Sequence, residues 1–261
     1  MELKKKKFNR PFVMSLQLAV IFGGLGIWLL MFFNNGRVTV SLEIIKYLPY
    51  LFILLAILLA IFAIKKFKDV GGNFDYNEKG LTNKDTNKSY IFKDLNDLFY
   101  LGQNETSKDW YAGIAFRKDV NDTWTPFTKT HYDEKQVIEI EDLYNKARTP
   151  EVIQQLSEGK KVDFSYIPLL QSMKNLNMYG LKANLSTKTE PITLTKEELI
   201  FRDKKYSLRE IEKIGGHTRT LKNGICYVLK TKSGKTIFEF EKFEVMSYQV
   251  FISAINKFAS N

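Results

Sequence analysis

The sequence predicts a membrane α-helical hairpin followed by an α+β soluble region of curled antiparallel sheets, each capped by a C-terminal helix. Three observations predict it. Two long uncharged apolar runs fill the first quarter of the 261 residues. After them come short apolar-polar runs divided by turn residues. The chain then closes on a segment whose apolar residues recur at helical spacing.

The first run carries no charge from Pro11 to Phe33, and its clearly polar side chains, Ser15 and Gln17, lie near its basic end. At about 1.5 Å per residue it crosses a hydrocarbon core of about 30 Å with some tilt. A cleaved signal peptide has an apolar region of about 7–15 residues and a small-residue cleavage site. This run is longer and ends Met31-Phe32-Phe33-Asn34, so it reads as a retained span over about 12–33. The second run, about 47–64, is almost pure Leu, Ile, Ala and Phe. Pro49 falls in its first turn, where a missing N–H does least harm. Gly23, Gly24 and Gly26 give the first helix a smooth patch for close approach of the second.

The formal net charge of +10 raises nucleic-acid binding as a reading. Its placement points elsewhere. Lys4, Lys5, Lys6, Lys7 and Arg10 precede the first span, and Lys65, Lys66 and Lys68 follow the second. The connector between the spans holds only Arg37 and Lys46 as basic residues. The positive-inside rule therefore expects both termini in the cytoplasm, with no nucleic-acid partner. The single cysteine, Cys226, excludes an intramolecular disulfide and sits in the apolar run Ile225–Leu229 as a small core residue.

Residues 1–68 thus form a basic arm and hairpin. A first α+β domain is expected over 69–168, a linker over 169–191 and a second domain over 192–261. In the first, Phe74–Leu81, Ser89–Phe92 and Leu95–Leu101 read as strands, and Tyr111–Arg117 pairs with Thr125–His131 around Asn121-Asp122. A helix is expected from about Asp133 to Ala147. Thr149-Pro150-Glu151 reads as the cap of a separate helix ending at Gly159. Val162, Phe164 and Tyr166 alternate as a further strand. In the second domain, Ile192–Leu194, Leu199–Arg202, Tyr206–Leu208 and Ile211–Ile214 are short strands. Ile225–Lys232 and Lys235–Phe240 flank the hairpin signal Ser233-Gly234. Phe243, Met246, Val250, Phe251, Ala254 and Phe258 share one face of the closing helix.

The two halves share a pattern. Tyr90-Ile91-Phe92-Lys93-Asp94-Leu95-Asn96-Asp97-Leu98 aligns with Tyr206-Ser207-Leu208-Arg209-Glu210-Ile211-Glu212-Lys213-Ile214. Upstream, Gly80-Leu81 corresponds to Glu198-Leu199, and a hairpin and a helix follow in both. With its short strands, glycine hairpin and terminal helix, Leu194–Phe240 resembles a group of bacterial membrane proteins. These join a two-helix hairpin to cytoplasmic pleckstrin-homology-like (PH-like) domains. The resemblance implies two PH-like copies in an inner or plasma membrane. It also implies a binding or assembly role without enzymatic chemistry or cofactor.

No catalytic constellation contradicts that implication. His131 and His217 are far apart and outside any metal-ligand spacing. Gly215-Gly216-His217 lacks the lysine and hydroxyl of a phosphate loop, and Asp119–Thr123 lacks the glycine and glutamate of a calcium loop. Asp94, Asp97, Glu197 and Glu198 lie among lysines and read as solvated faces. Arg202, Lys204 and Lys205 surround a strand turn, with Arg209, Arg219 and Lys222 as further candidates for an anionic headgroup site. The expected function is a membrane-anchored, non-enzymatic scaffold that binds a partner protein or itself, with the bilayer as its other partner. Two alternatives stand beside it. One is an immunity or self-protection protein against a membrane-directed toxin, the other an anionic-lipid headgroup binder. No small-molecule substrate is evident.

Overall fold

A computed structural model describes residues 1–5, 10–35, 43–68, 72–102, 111–128, 131–168, 188–217 and 226–259. The chain divides into two units, one of Met1–Lys4 with Gly72–Asn261 and the other Lys5–Gly71. The second unit holds two helices, α1 (Arg10–Asn34) and α2 (Leu48–Lys68). Both are long and apolar enough to cross a membrane, over Phe12–Asn34 and Ile45–Ile64, and only 11% of either window is buried. Val20, Ile27, Leu51 and Ile61 are among the large apolar side chains left exposed. Of the three glycines, Gly26 makes the closest approach, because a Cβ there would meet Ile53 Cγ1 at 2.8 Å and the Pro49 carbonyl at 2.9 Å. Gly24 faces nothing within 4 Å, so the smooth patch is narrower than the sequence implied.

The other unit is α+β. Its strands are β1 (Glu2–Leu3), β2 (Phe74–Asn77), β3 (Gly80–Asn83), β4 (Ser89–Ile91), β5 (Asp97–Gly102), β6 (Tyr111–Arg117) and β7 (Thr125–Thr128). After α3 (Glu134–Ser157) come β8 (Val162–Tyr166), β9 (Glu190–Leu194), β10 (Glu198–Phe201) and β11 (Lys204–Ser207). The remainder are β12 (Gly216–His217), β13 (Cys226–Lys230), β14 (Thr236–Glu241) and the closing helix α4 (Tyr248–Phe258). Every strand pair is antiparallel, in sheets ordered β1-β2-β3-β4, β5-β6-β7, β11-β10-β9-β8 and β12-β13-β14.

Five sequence expectations change. Phe74–Leu81 is two strands with a turn at Glu78-Lys79, and Ile211–Ile214 contributes only a bridge, Ile211 to Thr231. Residues 134–157 form one helix with Pro150 inside it. Tyr144, Arg148, Val152 and Leu156 are buried at four-residue intervals, so its inner stripe runs straight past the proline. Asp133 caps this helix, accepting from the Lys135 N–H at 3.0 Å. Val162–Tyr166, grouped by sequence with the first domain, pairs instead with Glu190–Leu194. Met1–Lys4, expected to lie with the hairpin, joins the α+β unit as β1 beside β2.

The registers of the two strand sets coincide. Leu3 faces Phe74 where Phe164 faces Ile192. Tyr76 faces Leu81 where Leu194 faces Leu199, and Leu81 faces Tyr90 where Leu199 faces Tyr206. A three-residue 3-10 turn follows each fourth strand, Phe92–Asp94 and Leu208–Glu210. Each turn is closed by a backbone bond of 3.2 Å, Leu95 to Phe92 and Ile211 to Leu208. Tyr100 then faces Ile114 where Gly216 faces Tyr227, and Gly113 faces Thr128 where Cys226 faces Glu241. The apolar positions of the aligned segments are buried in both, at Phe92, Leu95 and Leu98 and at Leu208, Ile211 and Ile214. α3 and α4 follow at the same point, and one hydrophobic core runs through both halves.

Candidate functional site

Where the two halves meet, buried polar groups face each other. Asp97 opens β5 and Arg117 ends β6, and the two are register partners in the antiparallel pair. Both are buried, and the Arg117 guanidinium donates to Asp97 Oδ2. Arg117 also donates to the Val120 carbonyl (2.8 Å), to Ser165 Oγ on β8 (3.0 Å) and to Thr189 Oγ1 (3.4 Å). Its guanidinium lies 4.4 Å from the Trp124 ring centroid. Ser165 Oγ donates in turn to Asp97 Oδ2 at 2.9 Å. Burial pushes the Asp97 carboxyl above the ordinary aspartate range, and Arg117 and Ser165 pull it back. Asp97 was expected on a solvated face. The strand Asp97–Leu101 instead packs between the halves, and every one of its side chains is buried.

A second joint lies nearby. Ser247, just before α4, is buried with φ 53° and ψ 38°. Its N–H donates to the Leu98 carbonyl (2.8 Å) and its Oγ accepts from the Leu98 N–H (2.9 Å). Tyr144 of α3 reaches the same Oγ at 2.6 Å. Tyr100 donates to Glu141 Oε1 (2.8 Å), which also accepts from Gln249 of α4 (3.2 Å). Most of these groups pair with one another inside the fold, while Asp97 Oδ1 is buried without a hydrogen-bond partner. The arrangement holds the two halves in register.

Burial raises the hydroxyls of Tyr100, Tyr132, Tyr144, Tyr166 and Tyr248 above the usual tyrosine range. Tyr76, buried and donating to Glu139, is pushed up to about 12. In the unfolded chain these groups ionise near 10, while the folded state keeps their protons. The unfolded state therefore binds fewer protons above that pH, and stability falls as pH rises from about 10 to 12. Thermal unfolding midpoints recorded at steps from pH 8 to 11.5 are expected to stay level up to about 9 and then to drop. A level profile to 11.5 would count against these burials.

The expected headgroup residues are only partly gathered. Arg202 sits in the β10–β11 turn but is engaged by Glu190 (2.9 Å), with its guanidinium 5.0 Å from the Phe201 ring centroid. Lys204 and Lys205 are exposed on β11, and Lys205 lies 4.0 Å from Glu198. Arg209 lies in the turn beyond the far end of β11, at the opposite end of that strand from Arg202. Arg219 and Lys222 lie outside the described residues. Of the residues flanking the hairpin, Lys4 pairs with Glu2 at 3.1 Å and Lys5 is described, while Lys6 and Lys7 lie outside the described residues. Arg10, Lys65, Lys66 and Lys68 are placed in their helices by backbone only. His131 Nδ1 lies 2.6 Å from Thr128 Oγ1, and Cys226 is buried, as expected of a core residue. Among the described residues no group of three or more His, Cys, Asp or Glu side chains is placed to hold a metal ion.

Comparison with known proteins finds no matching family model, no matching curated protein and no matching solved structure. The residues that sequence reading missed are Asp97, Arg117, Ser165, Tyr144 and Ser247. One signal was available for the first two. Each charge bounds a strongly apolar strand, Leu98–Leu101 and Ile114–Phe116, and those strands are consecutive partners.

Proposed function

We propose that this chain is a membrane-anchored, non-enzymatic scaffold whose soluble unit consists of two fused PH-like copies, presented to a partner protein on the cytoplasmic side. The observation that carries the reading is the coincidence of register between the strand sets, from Leu3/Phe74 and Phe164/Ile192 through to the helices α3 and α4. A curled seven-strand arrangement closed by a helix is a binding platform, and PH-like folds serve in that way. The apolar lengths of α1 and α2 and their exposed side chains support a bilayer span for each. The bonds that cross between the halves, Arg117 to Ser165 and Ser247 to Leu98, support a mechanical role. With Arg202 held by Glu190, the headgroup reading has less support than partner binding.

The partner's place in this reading is the outer strand β4. A shallow groove of about 510 Å³ runs across the same sheet and reaches this strand, lined by Met1, Glu2, Tyr76, Lys79, Tyr90 and Ile91. Ile91 is 48% exposed there, and an extended segment of a partner would add to the free strand edge. A photo-crosslinking amino acid at position 91, in the full chain in intact membranes, is expected to yield one discrete protein adduct. The same probe at Lys257, exposed on α4, should yield none. Adducts to lipid alone, or equal labelling from both positions, would overturn the reading.

A further inference from the structure

We infer that the membrane hairpin is an insertion between the first and second strands of one sheet. Residues 1–4 and the unit from Gly72 onward are thereby locked to the same face of the bilayer. The inference rests on the reading of α1 and α2 as membrane spans, and it adds a constraint that the basic flanks alone do not supply. β1 and β2 are neighbours, with Glu2 opposite Asp75 and Leu3 opposite Phe74. The Met1 ammonium donates to the Tyr76 carbonyl at 2.8 Å, and the Tyr76 N–H donates to the Met1 carbonyl at 2.8 Å. Leu3 is fully buried in the core of the soluble unit, and Gln136 of α3 donates to the Glu2 carbonyl at 3.0 Å. Lys84 pairs with Glu2 at 3.0 Å from the neighbouring turn.

The pairing is more than a chance contact of a terminus. In the other half β8 holds the same place, with Phe164 at the position of Leu3. There the first and second strands are joined through residues 167–189, and here through Lys4 to Gly72. The fold therefore needs a first strand in each half, and the hairpin occupies the connection after it.

Paired strands lie about 4.8 Å apart, whereas the hydrocarbon core is about 30 Å thick. One crossing between Lys4 and Gly72 would put β1 and β2 on opposite faces, out of reach. The register is compatible with zero crossings or two. Given spans of 23 and 20 residues, two follow.

Glu2 and Asp75 form the pair between two hydrogen-bonded positions, where Cα atoms approach to about 4.5 Å, within the range a disulfide bridges. The test uses the full chain in intact membranes with Cys226→Ser, carrying Glu2→Cys and Asp75→Cys. A second pair, Lys4→Cys with Asn73→Cys, sits one equivalent step along the same register. After mild oxidation most of either variant is expected to run as a monomer with both thiols blocked to a maleimide-polymer label. A control pair, Glu2→Cys with Ser89→Cys, lies three strand spacings apart and should keep both thiols reactive. Two reactive thiols in both test pairs, or crosslinks only between chains, would overturn the inference. Alkaline carbonate distinguishes the other failure. Release of the disulfide-bonded chain from the membrane would leave the strand pairing intact but remove the two crossings on which its topological meaning rests.

Discussion

Replacing Phe251 by alanine is expected to destabilise the soluble unit by about 3–5 kcal/mol, a large part of the stability of a domain this size. The side chain is fully buried on α4, with ring centroids 5.1 Å from Phe164, 5.8 Å from Phe240 and 6.5 Å from Phe238. It joins β8 and β14 to the helix, so truncation opens a cavity among three elements that cannot all collapse at once. Lys257 is exposed on the same helix, and its alanine variant should change stability by about 0.5 kcal/mol or less. Urea unfolding of the full chain in detergent, followed by circular dichroism, compares the two directly. A fragment beginning at Lys188 would not serve, because it omits β8 and with it Phe164. Equal, small effects at both positions would remove α4 as the cap of this sheet.

The second large effect is expected at the junction. Arg117→Ala leaves the Asp97 carboxylate buried without its counter-charge, at a cost of about 3–5 kcal/mol. The paired variant Asp97→Leu with Arg117→Leu removes both charges together and should cost less than the single change, because no uncompensated charge stays behind. Amide hydrogen exchange adds a spatial readout. In Arg117→Ala, protection should fall in β8 and β9, since Arg117 reaches Ser165 and Thr189 from the other half. Additive losses in the double variant, with β8 protection unchanged, would show that the pair contributes nothing to joining the halves.

The sequence was most legible where a pattern repeats locally. Both apolar helices, the β6–β7 and β13–β14 hairpins and the stripe Val250, Phe251, Ala254 and Phe258 of α4 follow from spacing within a single window, whereas Phe243 and Met246, expected on that helix, lie in turns before it. The match between Tyr90–Leu98 and Tyr206–Ile214 marks equivalent strands and turns because burial preserves apolar positions at fixed intervals. What stayed hidden depends on distant partners. β1 has two residues, too few for any period, and its place is set by Phe74 and Asp75, more than seventy positions away. Asp97 looked solvated because Lys93, Asp94 and Asn96 precede it, yet its burial is decided by Arg117 across the hairpin and Ser165 from the other half. Pro150 carries a strong local signal to start a helix. The stripe of Tyr144, Arg148, Val152 and Leu156 outweighs it through packing. Of the headgroup residues, the sequence put Arg202 at a strand end beside a turn but had no means of showing Glu190 against it.

The separation of β1 from β2 also sets an order of events during synthesis. Met1–Lys4 leaves the ribosome before the hairpin, and Phe74 only after it, a delay of several seconds at about 5–20 residues per second. Through that interval the first strand has nothing to pair with, while α1 and α2 form from local contacts alone. The first sheet therefore closes after the hairpin has settled, and only if its two ends have come back together. A chain with one helix misplaced would keep β2 unpaired along one side, an open edge of the kind that proteases and aggregation exploit. On the proposed reading of α1 and α2 as membrane spans, closure of this sheet requires that both crossings have been made.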